Sequence, residues 1–453
     1  MAAPSYATDL ATIDLAEAVT AWAEPTATNW TSGAAPGTAD TENVIQGTYS
    51  IPKAFNATGV GGVLANAGAG VTIPTDGAFL AWIFWASPAV LDSEANGGIR
   101  LIAGNSLSAF YGCKLLGKDS YTYGGWTNLS FDPNQSGARD YTAGSPSGTW
   151  QYFGWAVNNL NAITKGSPFV SDAIRYGRCE FRVNGGDVSN GYATFAGMAA
   201  KNDANDATNG YNRWGLFQAT GGTYLWKGLI TLGYSSAVDF RDSNRTIIID
   251  GNVKKVSANF NKIEIKNASS RVDWTSITIL SLSSVSKGRL EVVDDCDVNI
   301  SGCTFTDMDT FIFKATSDVL NSVFRRCNTI TANDAKFAGT LFDSASVAAD
   351  TSQLIWNDNT NPSTDLAGCT FIKGTNAHHA IEFGTSSPTS ITLTNMVFTG
   401  FNASNNQNDS ALHIKRTTGT VSITLSGTNQ PSYKSDGATV EFITSSRTIK
   451  VAV

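Results

Sequence analysis

The string GCTF stands at Gly302–Phe305 and again at Gly368–Phe371. Aligned on its phenylalanine, it belongs to a series of short units: VNISGCTF ending at Phe305, DVLNSVF at Phe324, FAGTLF at Phe342, DLAGCTF at Phe371 and TLTNMVF at Phe398, with spacings of 19, 18, 29 and 27 residues. Such intervals let a chain coil and return to the same place once per turn. Upstream, NKIEIKNA, TSITILSL and GRLEVVDD alternate apolar and polar residues, and ALHIKRTTGTVSITLSG continues the pattern after Phe398. These segments are too short and too rich in β-branched residues for helices. They predict a solenoid of parallel strands, each turn about 4.8 Å above the last, in which equivalent inward positions form ladders. Phe then stacks on Phe, and Cys303 and Cys369 fill equivalent small inward slots. On this reading GCTF is a packing motif; a repeated catalytic loop is the weaker explanation, because Cys and Phe between strand formers are buried.

A break in composition marks where the solenoid is expected to begin. Of eleven Trp residues only Trp274 and Trp356 follow residue 240, and RDSNRTIIIDGN supplies a polar hinge there. Residues 240–430 resemble the right-handed parallel β-helix family, a likeness that rests on period and pattern. A bare solenoid end exposes strand edges, so residues 431–453 are predicted to be capping strands, unless a neighbouring subunit covers the end.

Before residue 240 the chain reads as a sandwich of antiparallel sheets over residues 46–239. Aromatic-rich strands, GAFLAWIFWASP (Gly77–Pro88), GTWQYFGWAVN (Gly148–Asn158), RCEFRVNGG (Arg178–Gly186) and YLWKGLITLG (Tyr224–Gly233), alternate with Gly, Asn, Ser and Pro clusters. In order and spacing they resemble the laminin-G-like, concanavalin-type lectin fold, a jelly roll, with Thr231 standing where that family usually has an acidic residue. The predicted class is therefore all-β, a lectin-like β-sandwich followed by a parallel β-helix.

Charge narrows the partners. Residues 1–45 form an acidic segment: Asp9, Asp14, Glu17, Glu24, Asp40 and Glu42 precede the first basic residue, Lys53. It reads as a solvated lead-in or a dock for a basic partner. An acidic start is also unlike a secretory signal, so export by the general route is not expected. No basic cluster with interleaved aromatics points to nucleic acid, and no apolar run is long enough to span a membrane as a helix. The six cysteines lack metal-ligand spacing and are expected to be reduced and buried. No metal or cofactor is expected.

The opening segment, with its W-x-E stretch, acidic linker and IQGT, resembles the start of virion proteins of tailed phages. That resemblance implies a non-enzymatic particle component assembled in the host cytoplasm, a capsid decoration or fibre-like appendage. It would touch other virion proteins and associate in threes, as viral β-helices commonly do. Two alternatives stay open. One is a tailspike depolymerase, a glycosidase or lyase, whose paired carboxylates would come from Asp295, Asp297 and Asp309. The other is a glycan-binding adhesin gripping host surface polysaccharide through Tyr121, Tyr123 and Trp126, aromatics beside glycines in YTYGGWTN. DANDATNGYN from Asp203 resembles a calcium loop but has Ala207 at a ligand position, and is read as solvated. His378 and His379 point to opposite faces if they lie in a strand and so could not both bind one metal, and one or the other is read as an exposed turn residue.

Overall fold

The computed structural model describes residues 1–26, 38–55, 61–85, 98–116, 125–158, 166–204, 213–251, 256–283 and 286–444. Over these residues the chain is all-β except for one α-helix, Phe195–Asp203, and short 3-10 turns.

Two antiparallel sheets form the first unit. One has the spatial order Tyr141–Ala143, Ala109–Leu116, Gly98–Ser106, Trp150–Asn158, Gly61–Val71, Trp22–Ala23. The other has the order Ala11–Asp14, Gly166–Gly177, Ala78–Trp85, Gly125–Phe131, and Ile51–Phe55 also pairs with Gly166–Gly177. Alternate residues of both sheets, among them Val63, Leu101, Phe153 and Trp155 from one and Phe79, Ile83, Trp85 and Phe131 from the other, close on a common core. On the strand Ala78–Trp85, Phe79, Ala81, Ile83 and Trp85 face that core, whereas Ala78 and Leu80 join the core of the second unit. A two-residue period places both faces of this strand in apolar surroundings, which is why it reads as an almost unbroken apolar run.

The second unit is a coil of parallel strands, each regular turn giving one strand to each of three rows. The first row runs from Glu180–Asn184 through Leu229–Leu232, Lys262–Ile265 and onward to Leu412–Ile414 and Tyr433–Ser435. A second row includes Thr223–Trp226, Thr278–Ser281, Thr304–Thr306, Val323–Arg325, Leu341–Asp343, Thr370–Ile372 and Val397–Thr399. In the third, Asp239–Ser243, Arg271–Thr275, Asp297–Ser301 and Ser317–Leu320 pair in order, and Ser390–Thr394, Thr420–Ser426 and Thr439–Thr444 resume the stacking later in the chain. Phe305, Phe324, Phe342, Phe371 and Phe398 occupy the same register position of the second row. Their rings stack with centroids 5.0, 5.5, 4.5 and 5.6 Å apart and planes within 20° of parallel.

The coil begins earlier than the hinge near residue 240 suggested. Glu180–Asn184 already pairs in parallel with Leu229–Leu232, so RCEFRVNGG and YLWKGLITLG belong to the coil and not to the sandwich. Alternation alone could not separate the two: Phe181, Val183, Ile230 and Leu232 face inward in a coil as they would in a sandwich. At the other end, Tyr433–Ser435 and Thr439–Thr444 are parallel additions to their rows, so the described part of residues 431–453 forms a last turn rather than a cap.

The acidic N-terminal segment is built into both units. Ser5–Thr8 pairs antiparallel with Glu180–Asn184 and covers the first edge of the first row, while Ala11–Asp14 pairs with Gly166–Gly177 of the sandwich. Asp9, between them, accepts hydrogen bonds from the backbone of Arg178 (2.8 Å) and Glu180 (2.7 Å), fixing the crossover into the coil. Asp14 accepts from the Trp22 indole, Glu17 from the Thr48 amide, and Glu24 pairs with the buried Lys53 ammonium. The helix Phe195–Asp203 covers the same end of the coil, burying Phe195, Met198 and Ala199, with Thr194 accepting from the Gly197 amide as N-cap. Thr194→Ala is expected to lower stability by about 1 kcal/mol, measured by chemical unfolding.

The corner between third and second rows explains the repeated string. Asn244, Ser276, Gly302, Asn321, Gly339, Gly368, Asn395 and Gly427 all turn there with φ between 50° and 73°. Left-handed backbone favours Gly and tolerates Asn. The following slot takes a small polarisable or polar group in Cys303, Ser322, Thr340, Cys369 and Thr428, and an apolar one in Ile277 and Met396. The Cys303 amide donates to Ser322 Oγ (3.2 Å) and the Ser322 amide to Thr340 Oγ1 (3.3 Å), while Thr340 Oγ1 and Cys369 Sγ donate to the carbonyls of Val319 and Phe337. Cys, Ser and Thr interchange there because each fills a small space and can hydrogen-bond between turns. All six cysteines are buried thiols outside any disulfide, and burial pushes the Cys303 thiol up to about 11 and Cys369 to about 12. A Cβ on Gly302 would meet nothing closer than 3.7 Å. Gly302→Ala should therefore lose about 1–2 kcal/mol through backbone conformation alone, and Gly302→Asn distinctly less, read from unfolding midpoints.

Candidate functional site

The aromatic platform can be placed only in part. Tyr121 and Tyr123 lie outside the described residues, as does most of DANDATNGYN. Trp126, on Gly125–Phe131, is half-buried and packs on Phe84 with centroids 5.6 Å apart at 53°. Its ring therefore already has a neighbour on the sheet. Asp203 accepts from the Asn202 amide group and pairs with Arg213.

The three nominated carboxylates do not converge. Asp295 is exposed in the bend ahead of Asp297–Ser301, and Asp297 opens that third-row strand, exposed, with Arg271 3.7 Å away and the Asn299 amide group donating to it. Asp309 lies past the second row, on the approach to the first-row strand Phe311–Ile312, where it pairs with Arg289 and accepts from Asn328 (2.8 Å). The intervening corner puts Asp297 and Asp309 on different faces. Asp307, beside Asp309, is held bidentately by Arg326 at 2.8 and 2.7 Å, which keeps its carboxyl below the usual range.

Acids gather instead in the long unit between Phe342 and Phe371. Asp358 and Asp365 are half-buried, and burial first, then the charge of Asp334, raises both carboxyls above the ordinary range. Asp334 itself accepts from the Thr360 hydroxyl. WNDNTNPSTDLAG, which supplies two of these acids, reads only as an irregular polar loop, and nothing in its spacing ties it to Asp334. No protein-family model matches the chain, and no curated protein resembles it.

Grooves open on the coil at several places among the described residues. One, of about 340 Å³, follows the corner after the second row and is lined by Asp307, Arg326, Ser344, Ser346, Lys373 and Thr375, residues from successive turns at equivalent places. Arg326 and Lys373 already hold Asp307 and Asp409, so the groove is polar with its charges matched. A second, of about 320 Å³, lies where the second row ends and is lined by Val397, Phe398, Phe401, Ala411 and Pro431 among others. Val397 there is 50% exposed.

The histidines are not exposed turn residues. His378 and His379 are fully buried and His413 nearly so. Both faces of the strand His379–Phe383 are covered, one by the coil core and the other by side chains of the adjacent turns, so alternation does not bring a residue to solvent here. His378 accepts from the Gly374 amide and packs on Phe401, whereas His379 meets His413 with ring centroids 4.7 Å apart. No cluster of His, Cys, Asp or Glu among the described residues has the arrangement of a metal site.

Proposed function

We propose that this chain is a structural component of a tailed-phage particle, a capsid decoration or fibre-like appendage assembled in the host cytoplasm, and that it associates in threes. The observation that carries this reading is the contrast between the two ends of the coil. The first end is covered by Ser5–Thr8, the Phe217–Trp226 hairpin and the helix Phe195–Asp203. At the other, Val397–Thr399 and Thr439–Thr444 are the outermost described strands of their rows, with Val397 and Ile443 half-exposed and Phe398, Val440 and Phe442 only partly buried. Strand edges with apolar side chains are suited to another protein surface. Salt bridges between neighbouring turns, such as Asp307–Arg326 and Asp343–Arg325, fit a coil whose ionic rows serve its own cohesion. The lectin-like sandwich would face outward, where contact with surface glycans is a secondary role.

Light scattering of the purified chain is the test. Three times 47.8 kDa is expected, and a stable monomer at micromolar concentration would remove the main support for the assembly reading. Asp295→Asn with Asp297→Asn should leave that mass unchanged.

A second reading, a polysaccharide depolymerase, is favoured by Asp358 and Asp365, because raised carboxyls are what a general acid needs. Release of reducing ends or unsaturated sugars from a panel of bacterial surface polysaccharides, abolished by Asp358→Asn with Asp365→Asn, would establish it and displace the structural reading.

A further inference from the structure

Four consecutive strands of the first row, Ser352–Trp356, His379–Phe383, Leu412–Ile414 and Tyr433–Ser435, carry or adjoin a polar cluster that stitches the last four turns together. His379 Nδ1 lies 2.6 Å from the Ser410 carbonyl, so it carries the proton and donates. Its Nε2 is 3.3 Å from Asp350 Oδ1, which also accepts from Lys434 Nζ (2.6 Å) across two turns. His413 Nε2 donates to Asp436 (3.0 Å), and its Nδ1 is buried with no hydrogen-bond partner. The two rings face each other 4.7 Å apart. We propose that His379, packed against His413, forms a proton-sensitive latch across these turns, closed while its ring is neutral and loosened when it takes up a proton.

The balance of charges around the pair sets the direction. Asp350 favours protonation of His379. Against it stand the burial of the His379 ring, the His413 ring that faces it, and Lys434, which neutralises Asp350 and is the register neighbour of His413. Glu382, the other register neighbour, is taken by Lys415 at 3.2 Å. Ser352, register partner of His379, is uncharged, and Lys373 and Asp409 near His378 pair with each other. Burial is the largest influence on His379 and holds its imidazolium form below the ordinary range, near 6.5, with the same sign for His378. A depressed histidine binds its proton more readily when unfolded. Its stabilising effect is therefore complete above about pH 6.5 and lost as pH falls towards the folded value. Asp172 in the sandwich, raised to about 7 by burial, has the opposite sign, because its folded form gains the proton first. A global melting curve would mix the two, so the measurement must be local.

Hydrogen exchange of the peptides spanning Leu412–Ile414 and Tyr433–Ser435, corrected for intrinsic rates, should show opening about tenfold greater near pH 5 than near pH 7. Peptides spanning Arg271–Thr275, far from the cluster, should show no such change. His379→Gln with His413→Gln should flatten the response at the last turns. If that double variant does not fold, His413→Gln alone keeps the His379 contacts to Ser410 and Asp350 and should still weaken the response. Equal protection at both pH values in the unaltered chain, greater protection at low pH, or an undiminished response in the folded variant would overturn the proposal.

Discussion

Phe342→Ala is expected to lower stability by about 3–5 kcal/mol, seen as an earlier urea midpoint. Phe342 lies between Phe324 and Phe371, 5.5 and 4.5 Å away and nearly parallel to both, and is 1% exposed. Removing its ring deletes two stacking contacts and leaves a cavity that rigid neighbouring turns cannot collapse to fill. Phe342→Leu keeps most of the volume and should lose no more than about 1.5 kcal/mol. Phe398 ends the ladder, is only partly buried and stacks on one side, so Phe398→Ala should lose well under half as much. Equal losses at the two positions would mean that the ladder is not the unit of stability.

Lys227→Met should be comparably damaging for a different reason. Lys227 sits in the coil between Thr223–Trp226 and Leu229–Leu232, 1% exposed, with its ammonium 3.1 Å from Asp250 and donating at 2.5 Å to the Asn128 carbonyl of the sandwich. Removing one member of a buried pair leaves the other charged and poorly compensated, a loss of about 3–5 kcal/mol. Lys227→Met with Asp250→Asn removes both charges and should recover more than half of it. Because the ammonium bridges the two units, the single variant should also split one unfolding transition into two. A change within about 0.5 kcal/mol, as for an ordinary surface site, would exclude this role.

The sequence disclosed what repetition makes visible. Identical phenylalanines at near-regular spacing identify the second row, and scarce, unspaced cysteines point correctly to buried thiols. Equivalent positions filled by different residues stayed hidden. Asn244, Ser276, Gly302 and Asn321 share one left-handed corner, yet no single letter marks it. The start of the coil was obscured because Phe181 and Ile230 alternate as sandwich strands do. His378 and His379 were misread because alternation implies a wet face, and this strand has none. Asp334, Asp358 and Asp365 meet only through an excursion of the chain whose path its polar composition does not prescribe. Tyr121 and Tyr123 fall outside the described residues, so the platform they were to form with Trp126 is represented by Trp126 alone.

The strand Ser5–Thr8, laid against Glu180–Asn184, also orders events during synthesis. This segment leaves the ribosome before its partner and finds it only after the strands of the sandwich have been made. From then on each new turn has a finished one to settle on, so stacking can follow translation in a single direction. The closed end is settled at the outset, and the edge that remains available is always the newest.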